Sequence, residues 1–374
     1  MSDLWLSEVS RSKLTEFVLT LVDQESAQTI VESDEPSSGY WFGGGNVVQD
    51  ADGSLLVCGR YRSGGDSRTG IQAGTRGREL AVFRSRGVGQ PFQKILAWDK
   101  QAVAPDGTAV LSIEGSCLAQ RGTGWQLYVS TEKKIDYPES LQDYQKPGAG
   151  VWKIDLLQAE SLDQLSTAVA HPLLHSTDPG HLHVKDPFLW DEANASGASS
   201  PMLGFCSHPF GWSSSNSGRA ALNEAGTAAT SVQHSIISRG TTWDVAMTRA
   251  TCVLPIPAIG SFAERPHTVV FYCGGECLRP LEEHGKAHQR PRGYSCEEIG
   301  GAMVYVDGDV STATRLSDLA ALFVSPWGTG CSRYVDVLAT DEEFIATWQQ
   351  SQADESQPLV LNSVPRSRLE QILA

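Results

Sequence analysis

Two carboxyl groups in this sequence stand where chemistry can be done with them. Glu114 lies in Leu111-Ser112-Ile113-Glu114-Gly115-Ser116-Cys117-Leu118, an apolar strand-like run broken by glycine. Asp186 lies in His181-Leu182-His183-Val184-Lys185-Asp186-Pro187-Phe188-Leu189-Trp190. There Asp-Pro interrupts the alternation, as at a strand start or edge, because proline donates nothing to a ladder. A carboxyl buried among apolar neighbours, as at Glu114, is expected to hold its proton, which is what a general acid needs. Lys185 keeps its neighbour Asp186 ionised. Two acids pushed apart in proton affinity across a narrow space are the machinery of glycoside hydrolysis. The competing role for each is structural, capping a loop or pairing with an arginine.

Other residues could complete such a site. Glu298 is the expected third catalytic acid, with Asp50, Asp66 and Glu276 as its rivals. Asn46, Arg60, Arg62, Asp66, His181, His183, Lys185, Glu276 and Arg333 are expected to bind substrate. Trp212, in the small-residue loop Phe210-Gly211-Trp212-Ser213-Ser214-Ser215-Asn216-Ser217, is the expected sugar-stacking ring. Trp41, Phe42, Trp190 and Trp327 lie in similar turn-like contexts, and burial between sheets is the commoner fate of such rings. Gly64 to Arg78 is rich in Gly and Arg but lacks the spacing of a phosphate-binding loop, so it is expected to lie over the site's mouth. Cys273, Cys277, His284, His288 and Cys296 have passable zinc spacing, yet Cys273 continues a strand. No metal and no cofactor is expected.

The elements that must position these groups are short strands separated by turn signals such as Asp50-Ala51-Asp52-Gly53. They fall into sets. The first holds 46–49, 54–62, 79–85 and 92–98. The second holds 110–119, 125–130, 150–156 and 171–175, and the third 183–190, 202–207, 231–238 and 243–254. The fourth holds 268–273, 300–306 and 313–316. The fifth holds 322–324 with 332–338, then 344–348 and 358–361. The run Phe17-Val18-Leu19-Thr20-Leu21-Val22 would supply the strand missing from the last set. With no long amphipathic helix in view, this pattern predicts an all-β fold, a five-bladed β-propeller closed by strands from both termini. Residues 1–38 are a lead-in contributing the closing strand, 39–365 the propeller and 366–374 a short C-terminal tail with a terminal helix. First strands line the channel of such a ring. They offer Asn46, Glu114, Asp186, then Ser332 and Arg333, with Glu276, Glu297 or Glu298 from the fourth blade.

Glu114-Gly115 after Ser-Ile, and Lys185-Asp186-Pro187-Phe188, resemble the Glu-Gly and Arg-Asp-Pro-Phe elements of the five-bladed propeller glycosidases, glycoside hydrolase families 43, 32 and 68. Arg78 to Ser85 and Phe271 to Gly275 resemble second and third blade strands of the same families. The resemblance implies that Glu114 is the proton donor and that Asp186 tunes it or stabilises the oxocarbenium-like state. The sequence departs from the pattern in three ways. Asp-Pro follows the Glu instead of preceding it, Lys185 replaces Arg, and Gly43-Gly44-Gly45-Asn46 stands where the first blade's Asp is usual. The expected function is therefore an exo-acting glycoside hydrolase on a small oligosaccharide or glycoside. The alternatives are phosphorolysis, as in the related family 130, with Arg60, Arg62, His181, His183 and Arg333 holding phosphate, or a sugar-binding propeller without chemistry. A protein-interaction propeller would instead show an apolar rim.

Composition narrows the partners. The 374 residues carry a net charge of −15, against a nucleic-acid partner. No run of about 18 apolar residues is present, against a membrane span. No basic and apolar leader is seen, which suggests a cytoplasmic location. The eight cysteines sit mostly in apolar runs and are expected to be small buried hydrophobes. A carbohydrate is the expected partner.

Overall fold

In a computed structural model of the chain, residues 6–64, 75–145, 148–190, 201–208, 215–276 and 298–374 are described. The chain begins with helix α1 (Glu8–Leu21) and strand β1 (Gln28–Val31). Blade one follows: β2 (Trp41–Gly43) and β3 (Val47–Gln49) both pair with β4 (Leu55–Ser63), which leads to β5 (Thr75–Ser85) and β6 (Gln93–Asp99). Blade two is β7 (Val110–Arg121), β8 (Gly124–Lys133), β9 (Val151–Ala159) and β10 (His171–Leu174). Blade three is β11 (Lys185–Leu189), β12 (Met202–Ser207), β13 (Asn216–Leu222) and β14 (Ala229–Ile237). Blade four is β15 (Met247–Pro255), β16 (His267–Gly275), β17 (Ile299–Val306) and β18 (Asp309–Arg315). Blade five is β19 (Ser332–Ala339), β20 (Glu343–Gln350) and β21 (Leu359–Pro365), and helix α2 (Arg366–Leu373) ends the chain.

Each blade is antiparallel. The inner strands touch in sequence around the ring, β3 to β7, β7 to β11, β11 to β15, β15 to β19, and β19 back to β3. β1 pairs with β21, Gln28 opposite Leu361, so blade five takes its outer strand from the front of the chain and its other three from the back. This is the five-bladed propeller, closed by both termini, that the turn spacing predicts. Closing it covers the edge that β21 would otherwise present.

Three expectations need correction. Residues 17–22 are not the closing strand; they end α1. Leu14, Phe17, Val18 and Leu21 recur at helical spacing and are fully buried, and the Ser7 hydroxyl caps the first turn by accepting the Ser10 N–H at 3.0 Å. Residues 243–254 do not finish blade three. They hold all but the last residue of β15, the first strand of blade four, while β13 is the strand the sequence reading missed. Residues 322–324 form no ladder beyond a single bridge from Phe323 to Gly300.

Five apolar clusters weld the blades. Leu56, Leu80 and Trp98 of blade one meet Ile113, Leu127 and Leu157 of blade two. Cys117, Tyr128 and Ile154 meet Val184, Leu203 and Phe205. Phe188, Trp190 and Ile237 meet Tyr272, Met303 and Tyr305. Phe271 and Val304 meet Val335 and Trp348 over α1 and α2. Val31 and Leu359 meet Phe42, Val57 and Phe83, which closes the circle. Burial is worth roughly 1.5–3 kcal/mol for each large side chain, so these faces hold the ring together. The described cysteines, 58, 117, 206, 252, 273 and 331, are all buried. No helix among the described residues is long and apolar enough to cross a membrane.

Candidate active site

The inner strands break their alternation at the level of the site. β7 shifts register between Ile113 and Ser116, β11 between Lys185 and Phe188, and β19 between Arg333 and Asp336. Each shift is a β-bulge, which turns side chains out of the ladder. Asp186 (φ 54) and Tyr334 (φ 56) sit in the left-handed region, at a cost of about 1 kcal/mol or more for a residue with a Cβ. Pro187 suits the interrupted ladder. Gly115 is required by close approach, since a Cβ there would lie 2.6 Å from Asp186 Oδ1 and 2.7 Å from its Cα.

The bulges build a funnel whose wall is Trp41, Arg60, Arg62, Arg76, Glu114, Trp152, Lys185, Arg249, Glu298, Arg333 and Tyr334. Glu114, from blade two, accepts from the Ser112 hydroxyl at 2.8 Å through Oε1, while Oε2 stands 3.7 Å from both Arg60 and Lys185. Asp186, from blade three, accepts from the Gly115 N–H (3.0 Å) and the Cys206 thiol (3.4 Å), and lies 3.4 Å from Arg249. Ser130 accepts the Asp186 N–H at 3.1 Å and donates to the Gly115 carbonyl at 2.9 Å, locking the two bulges together. Glu298, just before β17 in blade four, is gripped by Arg249 and, at 3.1 Å, by Arg333.

These contacts set the protonation. Burial lifts the Glu114 carboxyl, but Lys185 and then Arg60 outweigh the lift and hold it below the ordinary glutamate range. A charge pair at about 4 Å is worth roughly 4 kcal/mol at an effective dielectric near 20, so two such neighbours exceed a burial penalty of several kcal/mol. The sequence reading expects burial to win here; the structure reverses that, because the two cations come from other strands. Burial likewise lifts Asp186, and Lys185, Arg249 and Arg60 bring it down. Glu298 is drawn down to about 2 by Arg249 and Arg333 against burial. All three acids are held below their ordinary ranges and are carboxylates at neutral pH.

Of the residues expected at the site, Glu114, Glu298, Arg60, Arg62, Lys185 and Arg333 line the funnel, and Asp186 stands directly behind it. Asn46 does not line it: its amide donates to the Leu118 carbonyl at 2.9 Å and accepts the Leu118 N–H at 2.8 Å, stitching blade one to blade two. His181 stacks on His234 at 4.3 Å. His183 is buried behind the wall, its N–H donating to the Tyr137 hydroxyl at 3.1 Å and its ring 4.8 Å from Trp152. Glu276 is exposed and outside the lining, and Asp50 pairs with Arg84 on a turn. Asp66, Trp212, Phe210, Glu297, Cys277, Cys296, His284 and His288 lie outside the described residues. Cys273 accepts the Tyr334 N–H at 3.1 Å, a structural contact.

Trp41 lines the wall but is no open stacking face. The guanidinium carbons of Arg60 and Arg333 lie 4.6 Å and 5.1 Å from its ring. The glycines that replace the first-blade acid have a use of their own. A Cβ on Gly44 (φ 71) would overlap the Arg60 guanidinium, which donates to the Gly43 carbonyl at 3.1 Å.

Sequence reasoning missed Arg249, which is 2 % exposed and touches both Asp186 and Glu298. A lone charge in the apolar run Met247 to Leu254 was its signal, hidden because that run was placed at the outside of blade three. Arg76, Trp152 and Tyr334 were also passed over.

The chain matches no protein-family model and no curated protein. Its fold does match solved structures. It aligns with alpha-L-arabinofuranosidase from Lactobacillus brevis at a TM-score of 0.56 and 9% identity, covering 91% of this chain and 93% of that one. It aligns with a GH43_1 enzyme from Xanthomonas citri at 0.53 and 9%, covering 94% and 93%. A thermostable family-43 glycoside hydrolase aligns at 0.55 and 11%, covering 89% and 92%. The Xanthomonas citri enzyme is also known complexed with xylotriose. At these identities the likeness is one of fold: the chain shares the five-bladed propeller of family 43 glycosidases.

Proposed function

We propose that the chain is a glycoside hydrolase that works by carboxylate chemistry in the funnel, on a small oligosaccharide or glycoside. The observation that carries this is the convergence of Glu114 and Glu298 from two blades on one opening of the ring, with Asp186 of a third blade directly behind them. The shared fold with family 43 glycosidases, one of which is known with xylotriose, supports a sugar as substrate.

Glu114 is the proton donor in this scheme. Among the described residues its Oε2 meets cations at 3.7 Å, and its side chain is the most exposed of the three acids at 14 %. Donation to the leaving oxygen requires that it first gain a proton. Asp186 positions the machinery by holding the Gly115 N–H and Lys185 in register. Glu298, fixed as a carboxylate, stabilises positive charge that develops at the sugar carbon.

The test is turnover of aryl xylosides, arabinofuranosides and uronides, with and without phosphate, by wild type and Glu114→Gln. Loss of at least about a hundredfold in kcat with an unchanged melting profile is expected for the variant. Full activity in Glu114→Gln removes the residue from the mechanism, and cleavage only with phosphate replaces hydrolysis by phosphorolysis. A second reading, a sugar-binding ring without turnover, is favoured by the ionised state of all three acids. It predicts binding of these glycosides with no product.

A further inference from the structure

Two ion pairs in the funnel stop short of contact. Elsewhere in the interior, opposite charges close to hydrogen-bond distance. Lys133 meets Asp155 at 2.5 Å, Arg76 meets Glu132 at 2.5 Å, Arg333 reaches Glu298 at 3.1 Å, and Arg249 grips the same carboxylate. Arg60 and Lys185 both stand 3.7 Å from Glu114 Oε2, beyond a hydrogen bond. A charge-assisted bond forms at about 2.7–2.9 Å and is roughly twice as strong as a neutral one. An approach of about 1 Å would give the Arg60 guanidinium that bond, and both side chains are mostly out of water. Something in the fold holds it back.

Lys185 stands between two acids, with Asp186 3.9 Å away on its other side of the balance. Arg60 is held by a cage. Its guanidinium donates to the Gly43 carbonyl at 3.1 Å and fills the space that a Cβ on Gly44 would need. The guanidinium carbon lies 4.6 Å from the centre of the Trp41 ring and 5.4 Å from that of Tyr334. Tyr334 is the part of this cage whose position costs the chain something. It stands in the left-handed region (φ 56) at the β19 bulge, where a bulky residue is strained. Its N–H is tied to Cys273 Sγ at 3.1 Å, and its ring also carries Arg333 at 5.4 Å and Arg249 at 5.6 Å. The ring is therefore wedged among guanidiniums from blades one, four and five. Burial, then Asp186 and Glu298, raise its hydroxyl against the pull of Arg249 and Arg60, so the ring stays neutral.

We propose that Tyr334 is a positioning residue, a wedge that keeps Arg60 from pairing directly with Glu114. The part of Glu114 as proton donor rests on the hydrolase reading above. A cation held at 3.7 Å favours the carboxylate yet leaves Oε2 able to take a proton. A cation bonded to Oε2 occupies the lone pair that the proton needs, and the donor is then locked in its ionised form. Arg60, Arg62, Lys100 and Lys185 act on Glu114 as cations, and Asp186 and Glu132 as anions. Of that group Arg60 is seated on the Tyr334 ring, so the effect of the ring on the donor passes through Arg60. The strained backbone at 334 is the means by which the ring is driven between the guanidiniums and kept there.

Carbon NMR titration of the full chain, labelled at its glutamate carboxyls, tests this, with Glu114→Gln identifying the Glu114 signal. The wild-type midpoint lies below the ordinary 4.5. Tyr334→Leu and Tyr334→Asn both remove the ring, and Asn accepts a positive φ readily, so the second variant also relieves the backbone. In both, Arg60 should close on Glu114 and lower its proton affinity about tenfold or more, one pKa unit. Tyr334→Phe keeps the ring and should stay within about threefold of wild type. Adding Arg60→Gln to Tyr334→Leu should return the affinity to the wild-type value or above, since the closing cation is gone. If the chain turns over glycosides, kcat at about pH 5 should fall about tenfold in Tyr334→Leu and Tyr334→Asn with little change in KM. The wedge is overturned by an unmoved or raised midpoint in these two variants, by Tyr334→Phe falling as far as they do, or by no recovery on adding Arg60→Gln. A lowered midpoint in a chain that cleaves no glycoside keeps the wedge and removes the hydrolase. Cleavage of glycosides with an unmoved midpoint does the opposite.

Discussion

Replacing Arg249 by Met should cost the fold most at neutral pH and progressively less in acid. Arg249 is the only described cation that touches both Asp186 and Glu298, and its side chain is 2 % exposed. Met fills much of the same volume but leaves two carboxylates in a low-dielectric wall, Glu298 with Arg333 and Asp186 with Lys185. Breaking a buried pair in this way costs about 3–5 kcal/mol. The sign of the pH dependence follows from Glu298. Its folded-state value, about 2, lies below the ordinary 4.5, so the stability it contributes is fully present above pH 4.5 and is lost as pH falls toward 2. That difference corresponds to about 3 kcal/mol, shared between Arg249 and Arg333. Urea unfolding of wild type and Arg249→Met from pH 7 to pH 3 should show a gap that is widest at neutral pH and narrows below pH 4.5. Adding Glu298→Gln to Arg249→Met should return part of the loss, since the stranded charge goes with it. A gap that stays constant across the titration, or a double variant no better than the single one, would mean that Arg249 acts by packing alone, and the electrostatic account of the funnel would fall.

Other consequences can be checked alongside. Asp336 accepts the Val47 N–H at 2.8 Å, tying blade five to blade one, and burial raises it to about 6. A raised carboxyl contributes stability that is complete below pH 3.8 and lost as pH rises through 6. Asp336→Asn should therefore gain about 1–2 kcal/mol on wild type between pH 4 and pH 7, a figure reduced because water reaches part of the side chain, and parallel melting curves would exclude it. Gly115→Ala drives a methyl group onto the Asp186 backbone as well as its carboxylate, so melting temperature and kcat on any substrate found should fall together. An unchanged melting curve would show that the two bulges can part without cost. Deleting residues 6–31 removes the closing strand together with the buried Leu14, Phe17, Val18 and Leu21. At roughly 1.5–3 kcal/mol each, that should leave an open, aggregating ring by gel filtration, whereas a monodisperse shortened chain would show that closure is dispensable.

Much of this was visible in the residues alone. Turn chemistry is local, and Asp50-Ala51-Asp52-Gly53 folds as it reads, with Gly53 at φ 84 and its N–H on the Asp50 carbonyl at 2.9 Å. The Asp-Pro interruption at 186 also marked its strand correctly as a broken ladder. What stayed hidden depends on which strand faces which. Phe17 to Val22 is an apolar run that either period could use, and only packing of α1 on blade five and α2 selects the helix. Arg249 was lost with the assignment of its strand. The proton affinity of Glu114 could not be judged from its own neighbours, because Arg60 lies 54 positions earlier and Lys185 71 positions later. Asn46 was read as facing substrate and is instead spent on a blade seam, a contact made with a strand 72 positions away.

The three bulges have a consequence for how much chemistry so small a ring can hold. A regular strand sends every second residue toward the axis, and five inner strands crossing one level would offer about five groups. A stutter lets consecutive residues serve the same side, so Lys185 with Asp186, and Arg333 with Tyr334, come as adjacent couples. Opposite charges then arrive already matched within a single strand. The density of the chemistry is thus set by where each ladder loses step, and an insertion or deletion of one residue there would rewrite the wall more deeply than any single substitution.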